Sequence, residues 1–62
     1  MKAHEYNKKT MKELGWSREH LGLPPDASMD DIVAAVVTFQ LSNDLEADGK
    51  VGPMTWGRLQ AA

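Results

Sequence analysis

The chain of 62 residues contains no cysteine, so neither a disulfide framework nor a thiolate zinc site stabilises it. At this length one small core leaves only a few kcal/mol of net stability, which excludes a second domain and leaves helix packing to hold residues 1–62 together as a single domain. The chain also lacks a long apolar run. Behind the charged start MKAHEYNKKT there is no hydrophobic stretch of the kind a signal peptide or a membrane span needs. Export by that route is not expected, so the protein is made in the cytoplasm or the chain is a piece of something longer; its final location stays open.

Catalytic and metal-binding patterns are missing as well. His4 and His20 stand sixteen residues apart, with no H-E-x-x-H spacing and no cysteine partner. A hydrolase needs two carboxylates across a cleft, or a nucleophile with its base and an oxyanion hole, and so short a chain has little room for either. We therefore expect no enzyme activity, no cofactor and no metal within these residues. One partial calcium-loop match exists, with Asp44, Glu46 and Asp48 at loop positions 1, 3 and 5 and Gly49 at position 6. It fails at position 12, where Thr55 replaces the bidentate Glu, and Lys50 puts a cation at position 7.

What is present is ordinary globular composition, 42% hydrophobic and 26% charged, outside the low-hydrophobicity signature of disorder. The net charge of −2 is unevenly spread: Lys2, Lys8, Lys9, Lys12 and Arg18 make the first third basic, whereas Asp26, Asp30, Asp31, Asp44, Glu46 and Asp48 make the rest acidic. Nucleic-acid binding needs a continuous basic surface and is not expected. Glu5 with Lys9 and Lys9 with Glu13 read instead as i,i+4 pairs on a solvated helix face.

The pattern predicts three helices. Residues 4–14 repeat Asn7, Thr10, Met11 and Leu14 along one face; Gly15 suits a left-handed helix end, and Trp16 follows where it folds back over the last turn. Ser17 caps a short turn through Leu21, and GLPPDA is a loop. A second helix runs from Met29 to Ser42, capped by Ser28 with Asp31 at its third position, and directs Met29, Ile32, Val33, Val36 and Phe39 inward. Gln40 falls in the middle of that apolar stripe and Asn43 close to it, a departure that needs a reason. Leu45 and Val51 anchor an ordered loop from Asp44 to Gly52, Pro53 starts the third helix, and Trp56 and Leu59 face inward from it. Gly57 inside that helix suggests a close helix contact.

The physical reading of the region from Gln40 to Trp56 is structural. Asp48 accepts backbone hydrogen bonds in its own turn, Gly49 supplies positive φ and Gly52 permits close approach. Thr55 bonds nearby backbone, Trp56 fills the core, and Gln40 bonds the amides and carbonyls of a buried loop. The stretch VAAVVTFQLSNDLEADGKVGPMTWGRL, residues 33–59, resembles the peptidoglycan-binding domain family, whose second half reads A-V-x-x-F-Q, a linker ending in L, then D-G-x-V-G-x-x-T-W-x-x-L. Agreement falls at Ala35, Val36, Phe39, Gln40, Leu45, Asp48, Gly49, Val51, Gly52, Thr55, Trp56 and Leu59. The first half, residues 4–28, is similar in outline only: Leu14-Gly15-Trp16 looks like the family's helix end, while LPPDAS replaces its first D-G-x-F-G-x-x-T element.

The resemblance implies an all-α three-helix bundle that binds bacterial cell-wall peptidoglycan non-covalently, as a monomer, in the service of a linked or partner hydrolase or another wall-associated protein. A glycan strand or stem peptide would meet the polar and aromatic groups beside the motif: Asn43, Asp48, Lys50 and Arg58, with Trp16 or Trp56 offering a ring edge. Action at the wall would follow lysis, phage release or incorporation in a larger exported protein. The alternative is an adaptor in a phage or secretion assembly that keeps the fold and binds protein; a third reading makes the chain one end of a wall hydrolase whose catalysis lies elsewhere.

Overall fold

A computed structural model describes residues 2–61. Helix α1 spans Ala3–Leu14, a single 3₁₀ turn covers Arg18–Leu21, helix α2 spans Met29–Ser42 and helix α3 spans Pro53–Ala61. The fold is all-helical and three-helical, as expected, and no helix among the described residues is long and apolar enough to cross a membrane.

Local chemistry sets the boundaries. Gly15 ends α1 in the left-handed region at φ 79°, where a residue without Cβ meets no steric penalty. At the start of α2 the Asp31 N–H donates to Ser28 Oγ at 3.1 Å, and the Ser28 N–H donates back to Asp31 Oδ2 at 3.4 Å. This reciprocal cap satisfies two amides that the helix cannot. The 3₁₀ turn is started by Ser17, whose N–H donates to His20 Nδ1 at 3.1 Å. Across the helix starts, His4 Nε2 lies 2.8 Å from Asp30 Oδ1. Among the described residues no Lys or Arg forms an ion pair, and the expected Glu5–Lys9 and Lys9–Glu13 pairs do not close: long exposed side chains gain little by giving up their freedom.

The core gathers Trp16, Ile32, Val36, Val51 and Leu59, with Met11, Leu14, Leu21, Leu23, Met29, Phe39 and Trp56 packed around it. Ile32 and Val36 are fully buried from α2, each contributing about 1.5–3 kcal/mol by apolar transfer. Two sequence expectations are corrected here. Trp16, not Trp56, is the tryptophan that fills the core; Trp56 is only half-buried and meets the His20 ring edge-on, with centroids 4.8 Å apart. Gly57 is not a close-contact glycine, because a Cβ there would meet open space.

Candidate functional site

Between α2 and α3 the chain passes through a bent segment, Asp48 to Gly52, gripped by one amide from each of two helices. From α2, the fully buried Gln40 accepts the Gly49 N–H at 3.0 Å through Oε1. Its Nε2 faces Asp48 Oδ1 at 3.0 Å, the Lys50 carbonyl at 3.0 Å and Thr55 Oγ1 at 3.1 Å. From α1, Asn7 donates through Nδ2 to the Gly49 carbonyl at 2.9 Å and accepts the Val51 N–H at 2.8 Å through Oδ1. Backbone groups of Gly49, Lys50 and Val51 are thus satisfied by side chains from two helices.

The polar residues on the inward helix faces are explained by this grip. Gln40 bonds the loop as the sequence suggested, and Asp48 accepts the Lys50 N–H at 2.9 Å in its own turn. Thr55 differs from expectation: its hydroxyl receives Gln40 rather than nearby backbone. Asn7 is the residue that sequence reasoning missed. It was visible as a polar side chain on the inward face of α1, but its partners lie more than forty positions away. Thr10, one turn later, accepts the Trp16 Nε1–H at 2.9 Å, so the core indole is also satisfied.

Two glycines allow the close approach. Gly49 has φ 74°, and a Cβ there would lie 2.9 Å from Val33 Cγ1, so it is constrained both by conformation and by space. At Gly52 an added Cβ would lie 2.9 Å from the Tyr6 hydroxyl. Tyr6 thereby leans over the segment, and Lys50 Nζ sits 5.8 Å from the centroid of its ring.

Outside the gripped segment lies an open groove of about 600 Å³, walled by Tyr6, Asp44, Glu46, Asp48, Lys50 and Met54. Its size falls in the range of small-ligand clefts. Of the six residues the sequence nominated for ligand contact, the groove brings together Asp48 and Lys50. Asn43 borders it in sequence, but its Nδ2 donates to the Phe39 carbonyl at 2.9 Å, closing the end of α2. Trp56 and Arg58 lie on α3 outside the groove lining, half-buried and exposed respectively. Trp16 is corrected: at 2% exposure, with its indole N–H engaged by Thr10, it has no ring edge to present. Tyr6, Asp44, Glu46 and Met54 are additions that only the three-dimensional arrangement supplies.

The groove is acidic. Asp44, Glu46 and Asp48 face a single cation, Lys50, and none of the four enters an ion pair among the described residues. No group of three or more His, Cys, Asp or Glu side chains among the described residues is placed to hold a metal ion.

Comparison with known proteins found no matching curated protein and no matching solved structure. A family model described as "Putative peptidoglycan binding domain" matches residues 8–59. The match takes in the second half of α1, beginning one residue after Asn7, all of α2, the Asp48–Gly52 segment and most of α3, and extends the resemblance of residues 33–59 back through Thr10 and Trp16. The chain therefore belongs to the peptidoglycan-binding domain family, a family of binding rather than catalytic domains.

Proposed function

We propose that the chain acts as one non-catalytic peptidoglycan-binding unit, that its ligand enters the groove over the Asp48–Gly52 segment, and that it holds a wall-degrading or wall-associated protein on its substrate. The observation that carries this reading is the pre-set groove itself. The family pattern residues Gln40, Gly49, Gly52 and Thr55 are used in fixing one wall of it, while the side chains of Asp48 and Lys50 face its open space. A segment already fixed by six side-chain bonds loses little further entropy when a ligand arrives. Lys50 supplies a cation for stem-peptide carboxylates; Asp48 and the Tyr6 phenol offer partners for glycan hydroxyls and N-acetyl groups.

The test is co-sedimentation with purified insoluble sacculi at moderate salt, with bovine albumin as the reference protein. Enrichment over albumin is expected, and Lys50→Ala should reduce it several-fold. The backbone of Lys50 makes the loop bonds, so removing its side chain should leave the thermal midpoint nearly unchanged. No enrichment of the parent chain would overturn the wall-binding reading and leave the protein-adaptor alternative.

A further inference from the structure

The charge of the groove singles out one part of peptidoglycan. A glycan strand is largely uncharged, and a stem-peptide carboxylate by itself would engage Lys50 but leave the acids Asp44, Glu46 and Asp48 without a counter-charge. The same peptides contain a diamino acid whose second amine, where it is not cross-linked, is an ammonium ion. Resting on the wall-binding reading above, we propose that the groove recognises this diamino-acid head group, with the ammonium on Asp44 and Glu46 and the adjoining carboxylate on Lys50.

Four observations support this assignment. First, Asp44 and Glu46 are exposed and their side chains make no hydrogen bond or ion pair among the described residues, whereas Asp48 is partly engaged by Gln40 and its own turn. Two carboxylates are therefore free to accept. Second, Asp48 lines the groove beside them and Lys50 is the one cation in the lining, so the groove keeps a negative excess that favours a cationic head group. Third, Lys50 Nζ sits over the Tyr6 ring and forms no ion pair with the groove acids among the described residues, so its ammonium is available to an anion. Fourth, Tyr6 and the exposed Met54 line the same space and give an apolar surface for the methylene chain that leads from this charged end back to the peptide.

Asp44 is in the left-handed region at φ 55°, a conformation that Asn tolerates as well as Asp, so Asp44→Asn combined with Glu46→Gln removes both charges without disturbing the turn. The experiment compares parent and double variant on native sacculi and on sacculi whose free amines have been N-acetylated. For the parent, acetylation should weaken binding about fivefold or more, the loss expected for charge-assisted hydrogen bonds. The double variant should bind native sacculi about as weakly as the parent binds acetylated ones, and should be indifferent to acetylation. Simple long-range electrostatics has the opposite sign: the variant's net charge rises from −2 to 0, which would improve binding to an anionic wall. Equal retention of the parent on native and acetylated sacculi, or tighter binding by the double variant, overturns this proposal while leaving wall binding intact. Failure of the parent to bind native sacculi overturns wall binding itself.

Discussion

At the scale of single residues, the fold turns on an amide placed where hydrocarbon is expected. Gln40 is 1% exposed and has two N–H donors for three acceptors, so at least one hydrogen is shared, while its carbonyl oxygen takes the Gly49 N–H. Removing it leaves a buried backbone N–H, a buried hydroxyl and a partly buried carbonyl without this partner. Gln40→Ala should therefore cost about 1–3 kcal/mol, the penalty for stranding buried polar groups. In a domain of this size that lowers the thermal midpoint by roughly 4–8 °C per kcal/mol. A variant that melts with the parent would show that the segment is not held by this amide. Asn7 does the same work from the opposite edge through two bonds of 2.9 and 2.8 Å. The two amides share the task, so Gln40 alone does not carry the whole cost of releasing the segment.

At the scale of elements, α2 is well capped at its start and strained just past its end. Ser28 and Asp31 satisfy the first turn. After Asn43 the chain must reverse, and Asp44 supplies the left-handed residue, at φ 55°, that lets the Leu45 N–H return to the Gln40 carbonyl at 2.9 Å. A non-glycine residue there carries a steric cost, reduced but not abolished for Asp. Asp44→Gly should accordingly stabilise the domain by up to about 1 kcal/mol, read as a higher thermal midpoint in calorimetry. If Asp44 also receives a ligand ammonium, the same substitution should weaken binding to sacculi, which sets stability against function at one position. An unchanged or lowered midpoint would mean that the turn is not strained. The elements themselves were largely legible in the sequence: Ser28, Gly15 and Pro53 mark boundaries by local chemistry, and the apolar stripe of α2 identifies its buried face. Half of the site was not. Asp48 and Lys50 sit inside a recognisable motif, but Tyr6 and Asn7 reach the same segment from α1 across more than forty residues, and no local pattern encodes that pairing. The tryptophans were exchanged for a related reason. Both carry strong apolar signals, and only the fold-back after Gly15, fixed by the Trp16 bond to Thr10, decides which one enters the core.

At the scale of the whole molecule, the principal dimensions of 26 × 25 × 19 Å limit what one copy can achieve. The groove is open on one side and walled by a few polar side chains, so the contact area available to a polymer strand is small, and the entropy of association offsets much of it. One copy should bind the wall weakly and exchange rapidly. The wall, however, is a lattice of repeated sites, so a second copy on the same chain binds at the effective concentration set by its linker rather than at the bulk concentration. Two copies of the domain joined by a flexible Gly/Ser linker of about 15 residues, with a root-mean-square span of roughly 20 Å, should be retained on sacculi about 10²-fold or more tightly than one copy. The comparison needs a third protein, a tandem in which one copy carries Lys50→Ala: retention near that of the single domain is expected if each copy binds through its own groove. Retention equal to the intact tandem would place the main contact outside the groove. A tandem held no better than one copy would mean that the sites on the wall lie too far apart for the linker, or that a single copy already binds tightly, and a dissociation rate measured on the single domain separates those two cases.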